Sequence, residues 1–244
     1  MFAKISRPGG GKGTWREVKQ HANAKQASLS AARKTLGSGD LASAVRLPPG
    51  EDRNEWLAAN TVDFFNEISL LYGLVAEEAV ARFTQAGEGF PQGFEYRWQV
   101  SPKDPPVRCS ASDYCEFVLV WVEDHIGNEA IFPVSESDPF PADFEVYLRD
   151  IYKRVFRIFC IMYHSLFASF ERLGAVAHLN TCLKHYVYFC LEFGLLPEAE
   201  MKALKGPTDR IKASFQAERE VAAGGGAKPS TSDGSGGGEG EAPA

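Results

Sequence analysis

The sequence lacks several features that would define a class of protein directly. Its five cysteines are an odd number without the spacing of a disulfide framework, and no run of about 18 uninterrupted apolar residues is available to span a membrane. It also has no internal repeat, no serine nucleophile motif and no charged-then-apolar leader at its N-terminus. These absences argue against a disulfide scaffold, a membrane protein, a solenoid and a serine hydrolase. They favour a reducing compartment.

Acidic residues are scarce in the first 46 residues, which hold nine Lys or Arg against two acids. This segment therefore carries +7, and the whole-chain charge of -6 leaves -13 on the remainder. A nucleic-acid binder rarely has so acidic a body, so we expect no nucleic-acid partner. Residues 1–32 contain few large apolar side chains, which predicts a flexible basic arm. The glycine-rich run in this arm does not form a phosphate loop, because Gly13 follows Lys12 where Ser or Thr is required.

What the chain does contain is one long amphipathic stretch. Apolar residues recur at helical spacing over about six turns from Ile151 to Leu173, which predicts a central buried helix. Its narrow polar sector holds four cationic residues: Arg149, Lys153, Arg154 and Arg157. Like charges at spacings of three and four repel each other. Either they are neutralised by carboxylates of the same chain, namely Asp143, Glu145 or Asp150, or an outside anion such as phosphate binds them.

Helical periodicity predicts four further helices, at residues 40–46, 53–82, 111–125 and 176–193. Asp52 and Glu55 have the spacing of a capping pair for the second of these. Alternation of apolar and polar residues from Phe94 to Val100 predicts one strand of a small hairpin. The helical pattern weakens beyond Lys212, and from Gly224 onward Gly, Ser, Glu and Pro dominate, so residues 216–244 are predicted to be a disordered tail.

Acidic side chains gather around the start of helix 53–82: Glu51, Asp52, Glu55 and Asp63. One interpretation is that they complement the helix dipole. If the neighbouring Trp56 is exposed, they indicate a partner surface instead, because an exposed Trp beside charged residues is typical of interfaces.

Two pairs of residues have spacings that suit metal ligation. Cys160 and His164 lie one helical turn apart, and so do His178 and Cys182. In apolar helices such residues are more often core cysteines and hydrogen-bonded histidines, and spacing alone does not establish a metal site.

Seven short motifs occur in one order between about residues 33 and 200. They are Thr35–Leu41 (TLGSGDL), Leu47–Trp56 (LPPGEDRNEW), Asn60–Asn66 (NTVDFFN), Phe94–Trp98 (FEYRW), Pro133 with Pro139–Pro141, Lys153–Arg157 (KRVFR) and Ala177–Thr181 (AHLNT). Together these motifs resemble the Mob family of kinase co-activators. The likeness is greatest to the branch that activates NDR/LATS kinases, rather than to the phocein branch.

The resemblance implies a mainly α fold over residues 33–215, with a four-helix-bundle core, additional short helices and a small β-hairpin. It implies a protein without catalysis of its own that binds the N-terminal regulatory region of an NDR/LATS-type AGC kinase. A second site would dock phosphothreonine peptides of an upstream Ste20-like kinase or scaffold, in control of cell division, cytokinesis or morphogenesis. The expected protein is a monomer without a membrane partner, in the cytoplasm, the nucleus and at spindle-pole or basal-body structures. The alternative is a phocein-like scaffold subunit of a phosphatase–kinase or ciliary assembly.

Position by position, the resemblance implies three groups of site residues. The kinase surface would comprise Glu51, Asp52, Glu55, Trp56, Asp63 and His185. The phosphopeptide pocket would comprise Lys153, Arg154 and Arg157. Regulatory phosphorylation would fall on Thr35 and Thr14. Family members also hold zinc with two Cys and two His, where this chain has Ala79, Thr84, Ile161 and Leu166. The expected form therefore has no metal and no other cofactor.

Overall fold

The structure is a computed structural model that describes residues 41–99, 103–135 and 137–224. In chain order, its elements are α1 (Leu41–Ala44), α2 (Arg53–Gly73), α3 (Ala76–Arg82), β1 (Arg97–Trp98), β2 (Val107–Arg108), α4 (Ala111–Ile126), α5 (Phe144–Ser165), α6 (Phe167–Arg172), α7 (Val176–Phe193), α8 (Glu198–Met201) and α9 (Lys205–Gly224), with a 3₁₀ turn at Lys202–Leu204 before α9. The predicted fold class, mainly α with a small hairpin, is confirmed. None of these helices is long and apolar enough to cross a bilayer within the described residues.

Helix α2 begins where its sequence predicts. The side chain of Asp52 accepts hydrogen bonds from the backbone N–H groups of Asn54 (2.8 Å) and Glu55 (3.1 Å), which satisfies donors that have no partner inside the helix. The helix does not run to Arg82 as predicted. It ends at Gly73. Val75 lies outside the helical region, with φ -125° and ψ 0°, and α3 begins at the next residue.

The central helix is displaced from its predicted range. Helix α5 begins seven residues before Ile151, because Phe144 and Leu148 extend its buried stripe. It stops at Ser165, since Leu166 leaves the helical region with φ -125° and ψ 5°, and α6 follows as a separate short helix. The predicted bounds of the neighbouring α4 and α7 are confirmed to within one residue.

The core lies among α2, α4, α5 and α7, which form the predicted bundle. Aromatic rings fill its centre around Phe64 of α2, whose ring lies 5.3 Å from Tyr186 and 5.4 Å from Phe189, both on α7. Tyr152 of α5 stacks on Tyr186 at 5.2 Å, and the hydroxyl of Tyr186 donates to the backbone oxygen of Tyr152. Buried Tyr therefore contributes packing without leaving its hydroxyl unsatisfied.

The hairpin packs against α4 and pairs its strands in antiparallel register, Arg97 opposite Arg108 and Trp98 opposite Val107. It thereby confirms the predicted strand around Trp98. The pairing turns Tyr96 and Trp98 inward, where both are buried, while Arg97 points outward. These two inward rings become part of the site described below.

The predicted disordered tail begins too early in the chain. Helix α9 runs to Gly224, so the expected boundary at residue 216 falls inside it. The carboxylate of Glu218 accepts hydrogen bonds from Lys184 (2.9 Å) and Tyr188 (2.8 Å) of α7 and from the backbone N–H of Ala42 in α1 (3.3 Å). Helix α9 therefore depends on contacts to distant residues that its own composition does not reveal.

Candidate functional site

The first half of α5 presents the four predicted cationic side chains on its partly exposed sector. Two of them are neutralised within the helix. Lys153 donates to Asp150 at 2.6 Å, and Arg149 donates to Glu145 at 2.8 Å. For these two residues, the interpretation that carboxylates of the same chain balance the cluster is correct.

Arg154 has a different environment. Its guanidinium lies over two indole rings, with Cζ 4.9 Å from the centroid of Trp98 and 4.7 Å from that of Trp121. Cation–π contact with both rings stabilises the charge and holds the group in place. Its Nε is buried and has no hydrogen-bond partner among the described residues. A buried guanidinium N–H without an acceptor is costly, so the site favours an incoming acceptor.

Arg157 is held by an ion pair and two phenol rings. Its Nε and Nη2 donate to the two carboxylate oxygens of Glu200 at 3.1 and 3.0 Å, and its Nη1 donates to the hydroxyl of Tyr114 at 3.2 Å. The ring of Tyr96 lies 5.0 Å from Cζ. Burial by itself lowers the pKa of Arg157, but Tyr114 and Glu200 outweigh it and raise the pKa further above its ordinary value. Arg157 is therefore permanently charged and fixed.

Four aromatic residues thus form a cage around the two arginines, which we call the aromatic cage: Tyr96, Trp98, Tyr114 and Trp121. A cavity of about 380 Å³ opens beside it, lined by residues 93–96, Arg157, Ala199 and Glu200. Sequence reasoning missed both the cage and Glu200. The alternating pattern of the hairpin was the available signal for Tyr96 and Trp98, but nothing in the sequence joins them to α5.

The acidic residues at the start of α2 remain at least partly accessible. Asp52 is exposed, and Glu51, Glu55 and Asp63 are partly exposed. The one basic residue in their midst, Arg53, is directed elsewhere. Its guanidinium pairs with Glu145 of α5 and lies 5.6 Å from the ring centroid of Phe193. We call Glu51, Asp52, Glu55 and Asp63 the acidic surface.

Two other residues of the predicted kinase surface lie in the core. Trp56 is only 3% exposed, and its Nε1 donates to the backbone oxygen of Val45 at 3.3 Å. His185 is 7% exposed and packs its ring 4.7 Å from Phe64. The condition that Trp56 be exposed is therefore not met, because the apolar face of α2 carries it inward. The predicted phosphorylation sites Thr14 and Thr35 lie outside the described residues.

The positions of the family's zinc ligands do not fit the metal. Ala79, Ile161 and Leu166 are buried apolar side chains and Thr84 is exposed, so none supplies the nitrogen or sulfur that structural zinc requires. The absence of zinc nevertheless stays a prediction.

The alternative pairs of Cys and His do not converge either. His164 donates from Nε2 to the backbone oxygen of Ala203 at 2.8 Å, and His178 is exposed. Cys160 and Cys182 are buried free thiols. Within the described residues, no group of three or more His, Cys, Asp or Glu could hold a metal ion.

Comparison with known proteins agrees with this arrangement. The sequence profile of the Mob1/phocein family matches residues 33–204. The chain belongs to the Mob1/phocein family. Arabidopsis thaliana MOB kinase activator-like 1A is 41% identical over 83% of this chain and 88% of its own length. Dictyostelium discoideum MOB kinase activator-like 1 homolog B is 42% identical over 75% and 85%, respectively. These Mob relatives are named for a regulatory role toward a kinase, and the family match ends just before α9.

Proposed function

We propose that this Mob protein is a non-catalytic co-activator that binds the basic N-terminal regulatory region of an NDR/LATS-type kinase. The acidic surface at the start of α2 carries the proposal, because it gathers four carboxylates that are all at least partly accessible. The names of the relatives support a kinase as the partner.

Electrostatics explain how such a surface would work. Excess negative charge outside the basic arm attracts a basic segment at long range and raises its association rate. Individual exposed ion pairs contribute little, about 0–1 kcal/mol each. Binding would therefore depend on several acids acting together, and would weaken as salt concentration rises.

The test is the double charge reversal Glu51→Lys with Glu55→Lys. We expect loss of capture by the N-terminal regulatory region of an NDR/LATS-type kinase, with an unchanged circular dichroism spectrum, because both side chains are partly exposed. The matched control is Glu123→Lys with Asp124→Lys, which reverses the same charge at two exposed positions late in α4. Equal capture by the two doubly reversed proteins would refute the proposed surface.

A second function, docking of phosphothreonine peptides, is favoured by the unpartnered Nε of Arg154. This guanidinium is held in place by Trp98 and Trp121, and its Nε has no acceptor among the described residues. Lys153 and Arg157 flank it on α5. Phosphate supplies the strong, charged acceptors that arginine binds best. Lys153, Arg154 and Arg157 are the proposed phosphopeptide pocket.

Calorimetry with matched phosphorylated and unphosphorylated peptides tests the pocket. Arg154→Ala should weaken phosphopeptide affinity by about tenfold or more, since charge-assisted hydrogen bonds are lost. Arg149→Ala is the control, because Arg149 lies on the same helix and pairs with Glu145. Equal weak binding of both peptides to the wild type would rule the pocket out.

A further inference from the structure

Glu200 occupies the edge of Arg157 that a phosphate would use. Its carboxylate binds Nε and Nη2 together, and this pair of parallel donors is the one with which arginine grips oxyanions. The side chains of Arg157 and Glu200 are only 21% and 23% exposed, so solvent screens the pair less than it would a surface ion pair.

The remaining contacts prevent Arg157 from swinging out to meet a ligand. Tyr114 accepts from Nη1, and Tyr96 lies against the guanidinium. Tyr114 is completely buried. An anion that enters the adjoining cavity must therefore reach Arg157 where it is, and it can use the paired Nε and Nη2 donors only by taking the place of the Glu200 carboxylate.

The two arginines of the pocket are thus unequal. Arg154 has a buried Nε without an acceptor, whereas Arg157 already holds a carboxylate. The first arginine gains a hydrogen bond from any anion that reaches it. At the Nε and Nη2 edge, the second arginine gains only from an anion that is a better partner than a carboxylate.

We propose that Glu200 is a specificity-determining residue of the phosphopeptide pocket, an internal carboxylate that makes Arg157 accept a phosphothreonine and reject an acidic side chain in its place. The inference rests on the phosphopeptide function proposed above. A phosphate carries about -1.5 to -2 charges and three acceptor oxygens, against one charge and two oxygens on a carboxylate. Exchanging Glu200 for a peptide carboxylate gains neither charge nor acceptors, while exchanging it for phosphate gains both.

Full-length wild type and Glu200→Gln are compared by fluorescence anisotropy with three degenerate peptide pools. The pools carry phosphothreonine, glutamate or threonine at the same central position. Wild type is expected to bind the phosphothreonine pool and to reject the other two. In Glu200→Gln, which keeps the size of the side chain and one acceptor oxygen, affinity for the glutamate pool should rise on the order of tenfold, because its charged competitor is gone. The preference for phosphothreonine over glutamate should shrink accordingly.

Glu198→Gln is the matched control. Glu198 lies two residues away in the same short helix, pairs with Lys212 and is 78% exposed, so its substitution removes the same charge without touching Arg157. An equal rise in affinity with this variant would show a long-range charge effect and overturn the inference.

Three other outcomes also overturn it. An unchanged preference in Glu200→Gln would show that Glu200 does not compete. Weaker binding of both anionic pools would make it a positioning residue for Arg157. If no protein distinguishes phosphothreonine from threonine, the phosphopeptide function itself fails, and the inference with it. Should Glu200→Gln not fold, Glu200→Asp takes its place, because it keeps the charge but shortens the side chain by one methylene and so weakens the contact with Arg157. An unchanged preference for phosphothreonine over glutamate in Glu200→Asp would also overturn the inference.

Discussion

Among single residues, Trp56 is buried, so a substitution at this position tests the stability of the core and not a contact with the kinase. Its indole is 3% exposed and donates to Val45, so it ties α2 to the segment that follows α1. We expect Trp56→Ala to lower the free energy of unfolding by about 3–5 kcal/mol, because a large cavity and an unsatisfied carbonyl remain. Urea denaturation measures the loss.

Trp56→Phe is the control for this prediction, since it keeps most of the apolar volume and should cost less. Loss of kinase capture by Trp56→Ala would then report a damaged core, not a lost contact. Unchanged stability together with lost capture would instead show that Trp56 binds the kinase directly.

The cationic residues of α5 illustrate the same point for charge. Lys153 and Arg149 find carboxylates within one helical turn, where sequence spacing reveals them. Arg157 finds Glu200, which lies 43 positions away and comes into reach only because α8 folds back over α5. A pair of this kind depends on tertiary structure and leaves no local pattern.

Among the elements, the family's zinc-ligand positions fall in and just after α3, and at the end of α5 and its junction with α6. Here an exposed polar network joins them: Glu78 accepts from Arg172 at 2.5 Å and from Arg82 at 3.3 Å, and Arg82 donates to the backbone oxygen of Ser165 at 3.0 Å. Beneath it, Ala79, Ile161 and Leu166 are buried in the apolar core.

We therefore predict that protein purified without chelator contains no stoichiometric zinc, and that adding a chelator leaves its melting temperature unchanged. The reason is that structural zinc contributes directly to folding only where Cys or His ligands hold it. Elemental analysis and thermal melts provide the measurements. One zinc per chain would contradict the prediction and direct attention to Cys160, His164, His178 and Cys182.

Helix α9 provides a prediction about where the folded part ends. Although burial by itself raises the pKa of Glu218, hydrogen bonds from Lys184 and Tyr188 lower it below its usual value. The ring of Phe215 also packs 4.9 Å from that of Tyr188. Truncation after residue 215 removes Glu218 and leaves Lys184 without this partner, so we expect a lower melting temperature.

Truncation after residue 224 is the matched control, because it keeps all of α9 and should melt like the full chain. Scanning calorimetry of the two truncated proteins gives the comparison. Identical melting of both would mean that the folded domain ends near residue 215, as the predicted domain boundary has it.

At the scale of the whole molecule, charge is divided between the two parts of the chain. Residues 1–46, which include the arm and Thr35, carry +7 and the remainder carries -13, so we expect this basic segment to be attracted to the acidic surface. We predict that phosphorylation of Thr35 increases kinase affinity, because added negative charge weakens that attraction and uncovers the acids. Titration of kinase regulatory region into phosphorylated and unphosphorylated protein measures the effect.

The Thr35→Ala protein serves as the control for this measurement and should bind like the unphosphorylated form. The difference between phosphorylated and unphosphorylated protein should also shrink at high salt, since screening reduces attraction between exposed charges. Equal affinity of both forms at low salt would count against shielding by the arm.

The periodicity of apolar residues determined most of the fold. It predicted α4 and α7 almost to the residue, the buried face of α5 and the burial of Tyr96 and Trp98, because burial imposes a period of 3.6 on helices and 2 on strands. Phe94, which belongs to the same alternation, is exposed. The seven short motifs predicted the Mob family, which the family match confirms, and implied the groups of candidate site residues. Gly73, two residues before Val75, was the available signal for the first interruption. The interruption at Leu166 was not visible, since apolar residues continue at helical spacing through it.

Tertiary structure alone decided which polar and aromatic groups meet. It buries Trp56 and His185 and places Arg154 over the rings of Trp98 and Trp121. It also pairs Arg157 with Glu200 and connects Glu218 to α1 and α7 by hydrogen bonds. The periodic pattern of apolar residues that predicts burial is contained in the sequence of each single element. A hydrogen bond or ion pair between distant segments depends on how whole elements pack, so its partners can be identified only when those elements are in place.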